Sequence, residues 1–84
     1  MVDRTCNIVQ TRIINNRVDF SFATYSGLSI TDAEKKIVDF AEDAIQHIKD
    51  PLFQTITINK RSVTIDTKDY GETITNIYAV VEAH

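Results

Sequence analysis

Residues 31–51 constrain this chain most, because they spell one amphipathic helix with a start, a face and a stop. Thr31 and Glu34 stand in the T-x-x-E arrangement of a capping box, where each side chain can satisfy a backbone N–H left free in the first turn. Ala33, Ile37, Phe40, Ala41, Ala44, Ile45 and Ile48 then recur at three-and-four spacing, which puts them on one helical face. Pro51 forbids continuation, since it lacks an N–H and disfavours helical geometry at Asp50. With strand-like sequence on both sides, that apolar face has a sheet to pack against.

Before the helix, residues 6–14 and 18–24 read as strands joined at Asn15-Asn16, and asparagine tolerates the positive φ of a tight hairpin turn. A two-residue loop sets Ile14 against Arg17, Ile13 against Val18 and Thr11 against Phe20. One face then carries Val9, Thr11, Ile13, Val18, Phe20 and Phe22. The other pairs Gln10 with Ser21 and Arg12 with Asp19, an opposite-charge cross-strand pair.

After the helix, residues 53–59 and 62–67 form a second hairpin around Lys60-Arg61. Ile58 faces Val63 and Ile56 faces Ile65, while Thr57–Thr64 and Thr55–Asp66 make a polar opposite face. Residues 68–72 turn the chain, with Gly71 free to take positive φ, and residues 73–82 form the last strand. The predicted order is β-β-α-β-β-β: an α+β domain spanning residues 1–84, with one amphipathic helix on one face of an antiparallel sheet.

Dimensions make the sheet interesting. A helix over 31–48 is about 27 Å long and about 10–12 Å across. Strands lie about 4.8 Å apart, so one helix covers two or three strands, not five. The last strand continues the expected core face with Thr75, Ile77, Ala79 and Val81, yet Ile74, Tyr78 and Val80 are apolar on the other side. Ile8 and Ile14 of the first strand share that outer parity. A strand apolar on both faces is expected where both are covered, and no second helix exists to do so. Ile8, Ile14, Ile74, Tyr78 and Val80 are therefore the expected interface residues, with a second copy as the favoured partner.

Composition narrows the function classes. In 84 residues, 43% hydrophobic and 25% charged content suits a folded domain rather than a disordered chain. A formal charge of −3 without a basic stripe argues against nucleic acid. The N-terminal residues are polar, unlike a signal peptide, and no apolar run reaches membrane-spanning length. The lone Cys6 cannot form an internal disulfide, so a reduced, cytoplasmic protein is expected.

No catalytic constellation emerges. His47 stands one turn after Asp43, which could orient an imidazole for acid–base work, but no nucleophile lies beside the pair and a histidine is also favoured near a helix C-terminus. Asp39, Glu42 and Asp43 diverge around the helix, so with Lys35 and Lys36 they read as a solvated face rather than a metal site. Cys6 has neither a base nor a cluster of cations to lower its pKa. Lys60, Arg61, Arg12 and Arg17 are scattered at turns, as are Tyr25 and Tyr70, and the threonines at 55, 57, 73 and 75 suit half-exposed strands. Phosphate-loop, zincin and serine-hydrolase motifs are missing.

The sequence thus leads to a small non-enzymatic protein-interaction module, of regulator or inhibitor type. It is expected to self-associate, as a dimer, through the uncovered sheet face or an edge strand. One alternative is a small-ligand protein or enzyme with a site shared between subunits, using His47, Asp43 or a loop tyrosine. A second is a single-stranded nucleic-acid binder using Tyr78, Arg12 and Lys60 on the sheet. No cofactor or metal is expected.

Overall fold

Asn15 and Asn16 both adopt positive φ, 49° and 67°, and close the first hairpin between β1 (Cys6–Ile14) and β2 (Arg17–Leu28). The computed structural model describes residues 5–48, 53–69 and 71–82. The chain continues through α1 (Ile30–Gln46), β3 (Gln54–Asn59), β4 (Ser62–Asp69) and β5 (Glu72–Glu82). The five strands form one antiparallel sheet in the order β2-β1-β5-β4-β3, with α1 lying across one face. This is the expected α+β order. Asn15 also stitches the hairpin to β5: its N–H donates to the Thr73 carbonyl and its Oδ1 accepts from the Thr73 N–H, both at 2.9 Å.

The helix begins two residues earlier than the capping-box reading placed it. Ser29 is the N-cap, in extended conformation, and its Oγ accepts from the Asp32 N–H at 3.1 Å. Serine with an acid three residues on is as good a start signal as Thr31 with Glu34, and the local sequence offers both. Glu34 instead reaches the second hairpin, 3.4 Å from Arg61 Nε and 4.0 Å from Lys60 Nζ. Helical geometry ends at Gln46, with His47 as C-cap, and the expected stop at Pro51 lies outside the described residues. Ser29→Ala should therefore lower stability by about 1 kcal/mol, and Thr31→Ala by under about 0.5 kcal/mol. Thermal melts of the two variants read this directly, as a shift of about 4–8 °C against one near zero.

The second hairpin pairs as expected, Ile58 with Val63 and Ile56 with Ile65. The first does so only at its tip. Ile14–Arg17 and Ile13–Val18 pair, but Asp19 is then bulged out, so Arg12 faces Phe20, Thr11 faces Ser21 and Gln10 faces Phe22. The expected Arg12–Asp19, Gln10–Ser21 and Thr11–Phe20 pairs do not form. Two more register shifts follow, between Val9 and Ile8 and between Ile8 and Cys6. Bulges of this kind raise local twist and change which face a side chain takes.

The core lies on the face opposite to the one expected for β1 and β5. Ile8 is fully buried and packs with Ile37, Ala41 and Val63, with Tyr78, Val80, Leu28, Phe40, Ile56 and Ile65 around them. The cause is pairing. Val63 faces Tyr78 in the β4–β5 ladder, and Ile8 faces Val80 in the β1–β5 ladder. The second hairpin has one apolar and one threonine-rich face, so its apolar side must meet the helix. Parity then carries Tyr78, Val80 and Ile8 to that side and leaves Val9, Ile77, Ala79 and Val81 on the other.

The sheet is also longer than its helix. Twelve residues of β2 span about 40 Å, whereas the 17 residues of α1 span about 25 Å. The molecule measures 51 × 26 × 15 Å, with a radius of gyration of 13.8 Å. A compact chain of this length would have about 12 Å.

Candidate functional site

The face turned away from α1 is built by β1 and β5, adjacent central strands of the sheet. Val9 pairs with Ala79, Thr11 with Ile77, Ile13 with Thr75 and Asn7 with Val81. The result is an apolar centre of Val9, Ile13, Ile77, Ala79 and Val81. β4 and β3 frame it with Thr64, Asp66, Thr57 and Thr55, and β2 with Ser21 and Ala23. Two side-chain bonds order the frame: Thr75 Oγ1 donates to Asp66 Oδ1 at 2.7 Å, and Thr11 Oγ1 lies 3.0 Å from Ser21 Oγ. Lateral neighbours leave Val9, Ile13, Ile77 and Ala79 only partly exposed, while Val81 at the end remains 47% exposed. Helix contacts come from the opposite face, so the apolar centre has no covering layer among the described residues.

The residues expected to form that surface fall elsewhere. Ile8, Tyr78 and Val80 belong to the helix side, as the ladder parity requires. Ile14 and Ile74 pair with each other on the same side, further along the sheet toward the Asn15-Asn16 turn. The uncovered surface therefore has the opposite parity, and the alternating apolar residues at 77, 79 and 81 are its sequence signal.

The candidate chemical groups do not converge. His47 Nδ1 lies 2.7 Å from the Asp43 carbonyl oxygen and 3.3 Å from Asp43 Oδ1, the local helix-end contact that the i,i+4 spacing allows. Both side chains are about three-quarters exposed, at 73% and 72%. They rim a hollow of about 190 Å³, floored by Phe40, Ile65 and Tyr78 with Gln54 at its side. Sites for small organic ligands enclose about 300–1,000 Å³, so this hollow is too small to hold one.

Cys6 is buried, 1% exposed. Lys60 and Arg61 hold Glu34, an exposed contact worth at most about 1 kcal/mol. Tyr25 lies on the helix side, its ring 4.5 Å from Lys36 Nζ. Tyr78 is stacked on Phe40, with ring centroids 4.6 Å apart and planes at 15°, so that face of its ring is not free to stack on a base. Arg12 leans over Phe20 at 6.0 Å. Among the described residues no three His, Cys, Asp or Glu side chains are placed to share a metal ion. Tyr70 and His84 lie outside those residues. No helix among them is long and apolar enough to cross a membrane.

Compared with protein-family models, curated proteins and solved structures, the chain matches none.

Proposed function

We propose that this chain is a small non-enzymatic interaction module that self-associates through the bare face of its sheet. It acts by occupying a surface, as a regulator or inhibitor does, and not by chemistry. The observation that supports this is the five-residue apolar centre, Val9, Ile13, Ile77, Ala79 and Val81, on two central strands whose other face is already used by the core. Central strands apolar on both sides suit a layer on both sides. A second copy supplies that layer by a two-fold, face-to-face pairing, in which the same patch meets itself. The lone buried Cys6 suits a reducing compartment such as the cytoplasm.

Sedimentation across a concentration series tests the reading. The unaltered chain should exceed the 9.5 kDa monomer mass, and Ile77→Lys should weaken the association by about 100-fold or more by placing a charge at the patch centre. A strict monomer at about 0.5 mM, where even weak pairs form, would sink the idea. So would an Ile77→Lys variant that associates like the parent.

A further inference from the structure

The two edges of the sheet are not alike. β2 is shifted in register at three points and carries Arg17 and Asp19. β3 pairs with β4 over six residues without a shift, and its sequence, QTITIN, holds no charge, proline or glycine. Natural edge strands are usually blunted by bulges, charges or proline. β2 is blunted in this way; β3 is not.

Backbone alternation shows what β3 offers. Its two-residue loop makes Asn59–Ser62 the closing hydrogen-bonded pair, so Asn59, Thr57 and Thr55 bond inward to β4. The Lys68 N–H donating to the Phe53 carbonyl at 2.8 Å continues the same alternation. The N–H and C=O groups of Gln54, Ile56 and Ile58 therefore point away from the sheet, in step with a further strand.

Apolar surface gathers at the same edge. Val38 and Ile45 are seven residues apart on one flank of α1 and are 53% and 54% exposed. Ile58 is 51% exposed, and with Ile37, Val38 and Lys35 it lines a groove of about 520 Å³ between helix and hairpin. Phe53, at the entrance to β3, is 55% exposed. These four are half of the eight exposed large hydrophobic residues among those described.

We propose that β3 and the groove beside it form an interface, separate from the bare face, that takes β3 of a second copy as an antiparallel sixth strand. The strand is complementary to itself. A two-fold axis at Thr57 sets Ile56 against Ile58 of the second copy, and Ile58 against its Ile56, on the helix side. Thr55 meets Asn59 on the other side. The pairing completes the outward backbone bonds of both strands and brings the apolar flanks of the two helices toward each other. Half of each of the four exposed apolar side chains supplies roughly 200 Å² per copy, at about 60–120 Å² of apolar surface for a side chain of this kind. That is about a quarter of the roughly 800 Å² per partner of a stable interface, and the paired strands add to it. An uncharged strand gives a charged peptide nothing to read, which favours the second copy over a foreign segment.

Thr57→Cys tests this. In the proposed register position 57 faces itself at a non-hydrogen-bonded site, where Cα atoms lie about 4.5 Å apart, within disulfide range. Mild oxidation should convert most of the Thr57→Cys chain to a covalent dimer on a non-reducing gel. The unaltered chain, whose Cys6 is buried, gives the background. Adding Ile58→Lys, on the opposite side of the strand from Thr57, should reduce the dimer about tenfold or more, while adding Ile77→Lys should leave it unchanged. A Thr57→Cys yield at background, or one indifferent to Ile58→Lys, overturns the edge pairing, including in favour of a foreign strand. Loss of mass on Ile77→Lys reads the bare face independently.

Discussion

Replacing Ile8 with lysine should abolish the cooperative fold, whereas the same replacement at Val9 should leave the protein folded. The two positions are neighbours in sequence and opposite in environment. Ile8 has no exposed surface and sits among Ile37, Ala41 and Val63, beneath the helix. A lysine there loses the packing of a buried aliphatic, about 2–5 kcal/mol, and adds an unpaired buried charge at several kcal/mol more. A domain of this length has a total stability of about 4–13 kcal/mol, so the sum approaches or exceeds what is available. Val9 points to the bare face, where a lysine amine reaches water and the fold loses under about 1 kcal/mol. Thermal and urea unfolding followed by far-ultraviolet circular dichroism separates the two. A cooperative melt for Ile8→Lys together with an unfolded Val9→Lys would mean that the faces are assigned the wrong way round.

Phe40→Ala should lower stability by about 3 kcal/mol, which for a chain of this size is a melting shift of about 12–24 °C. Phe40 ties the helix to two strands. It stacks on Tyr78 of β5 and meets Tyr25 of β2 with centroids 6.1 Å apart and planes at 51°. Most of the loss is apolar burial, and each ring pair adds about 0.5–1.5 kcal/mol. A double-mutant cycle with Tyr78→Leu isolates the stacking part, expected at about 1 kcal/mol. A coupling of zero would show that the rings are merely adjacent.

Element order and the second hairpin were legible because their signals were unopposed. Thr55, Thr57, Thr64 and Asp66 left one possible apolar face for β3 and β4, and their register followed. The first hairpin had a readable turn at Asn15-Asn16 but an unreadable bulge. Nothing in the residues around Asp19 demands that it be skipped, and skipping it moves Phe20 and Phe22 to the side of Arg12 and Gln10. For β1 and β5 the pattern itself was undecided, since both faces are apolar. The decision came from a distant neighbour: Val63 opposite Tyr78 transmits the parity of β4 across β5 to Ile8. That chain of pairings is long-range information that a local pattern does not contain. The same ambiguity hid the candidate surface, because Ile77, Ala79 and Val81 look like core when read alone. The helix start slipped by two residues for a simpler reason, as Ser29 and Thr31 are both good caps and the chain uses the first.

The inequality of the two sheet edges also sets how far any assembly through β3 can grow. A subunit with two matching edges is bifunctional, and like a bifunctional monomer in a polymerisation it adds copies without limit. QTITIN, six uncharged residues whose middle four alternate threonine and isoleucine, is the kind of segment that zips into such fibres. Joined edge to edge at β3, two copies present only β2 at both outer margins, and its displaced residues throw the outward backbone groups out of step with any regular strand. β2 is in that sense a chain terminator carried in every subunit. It leaves the sheet with one joinable edge, so that growth along the sheet stops at ten strands.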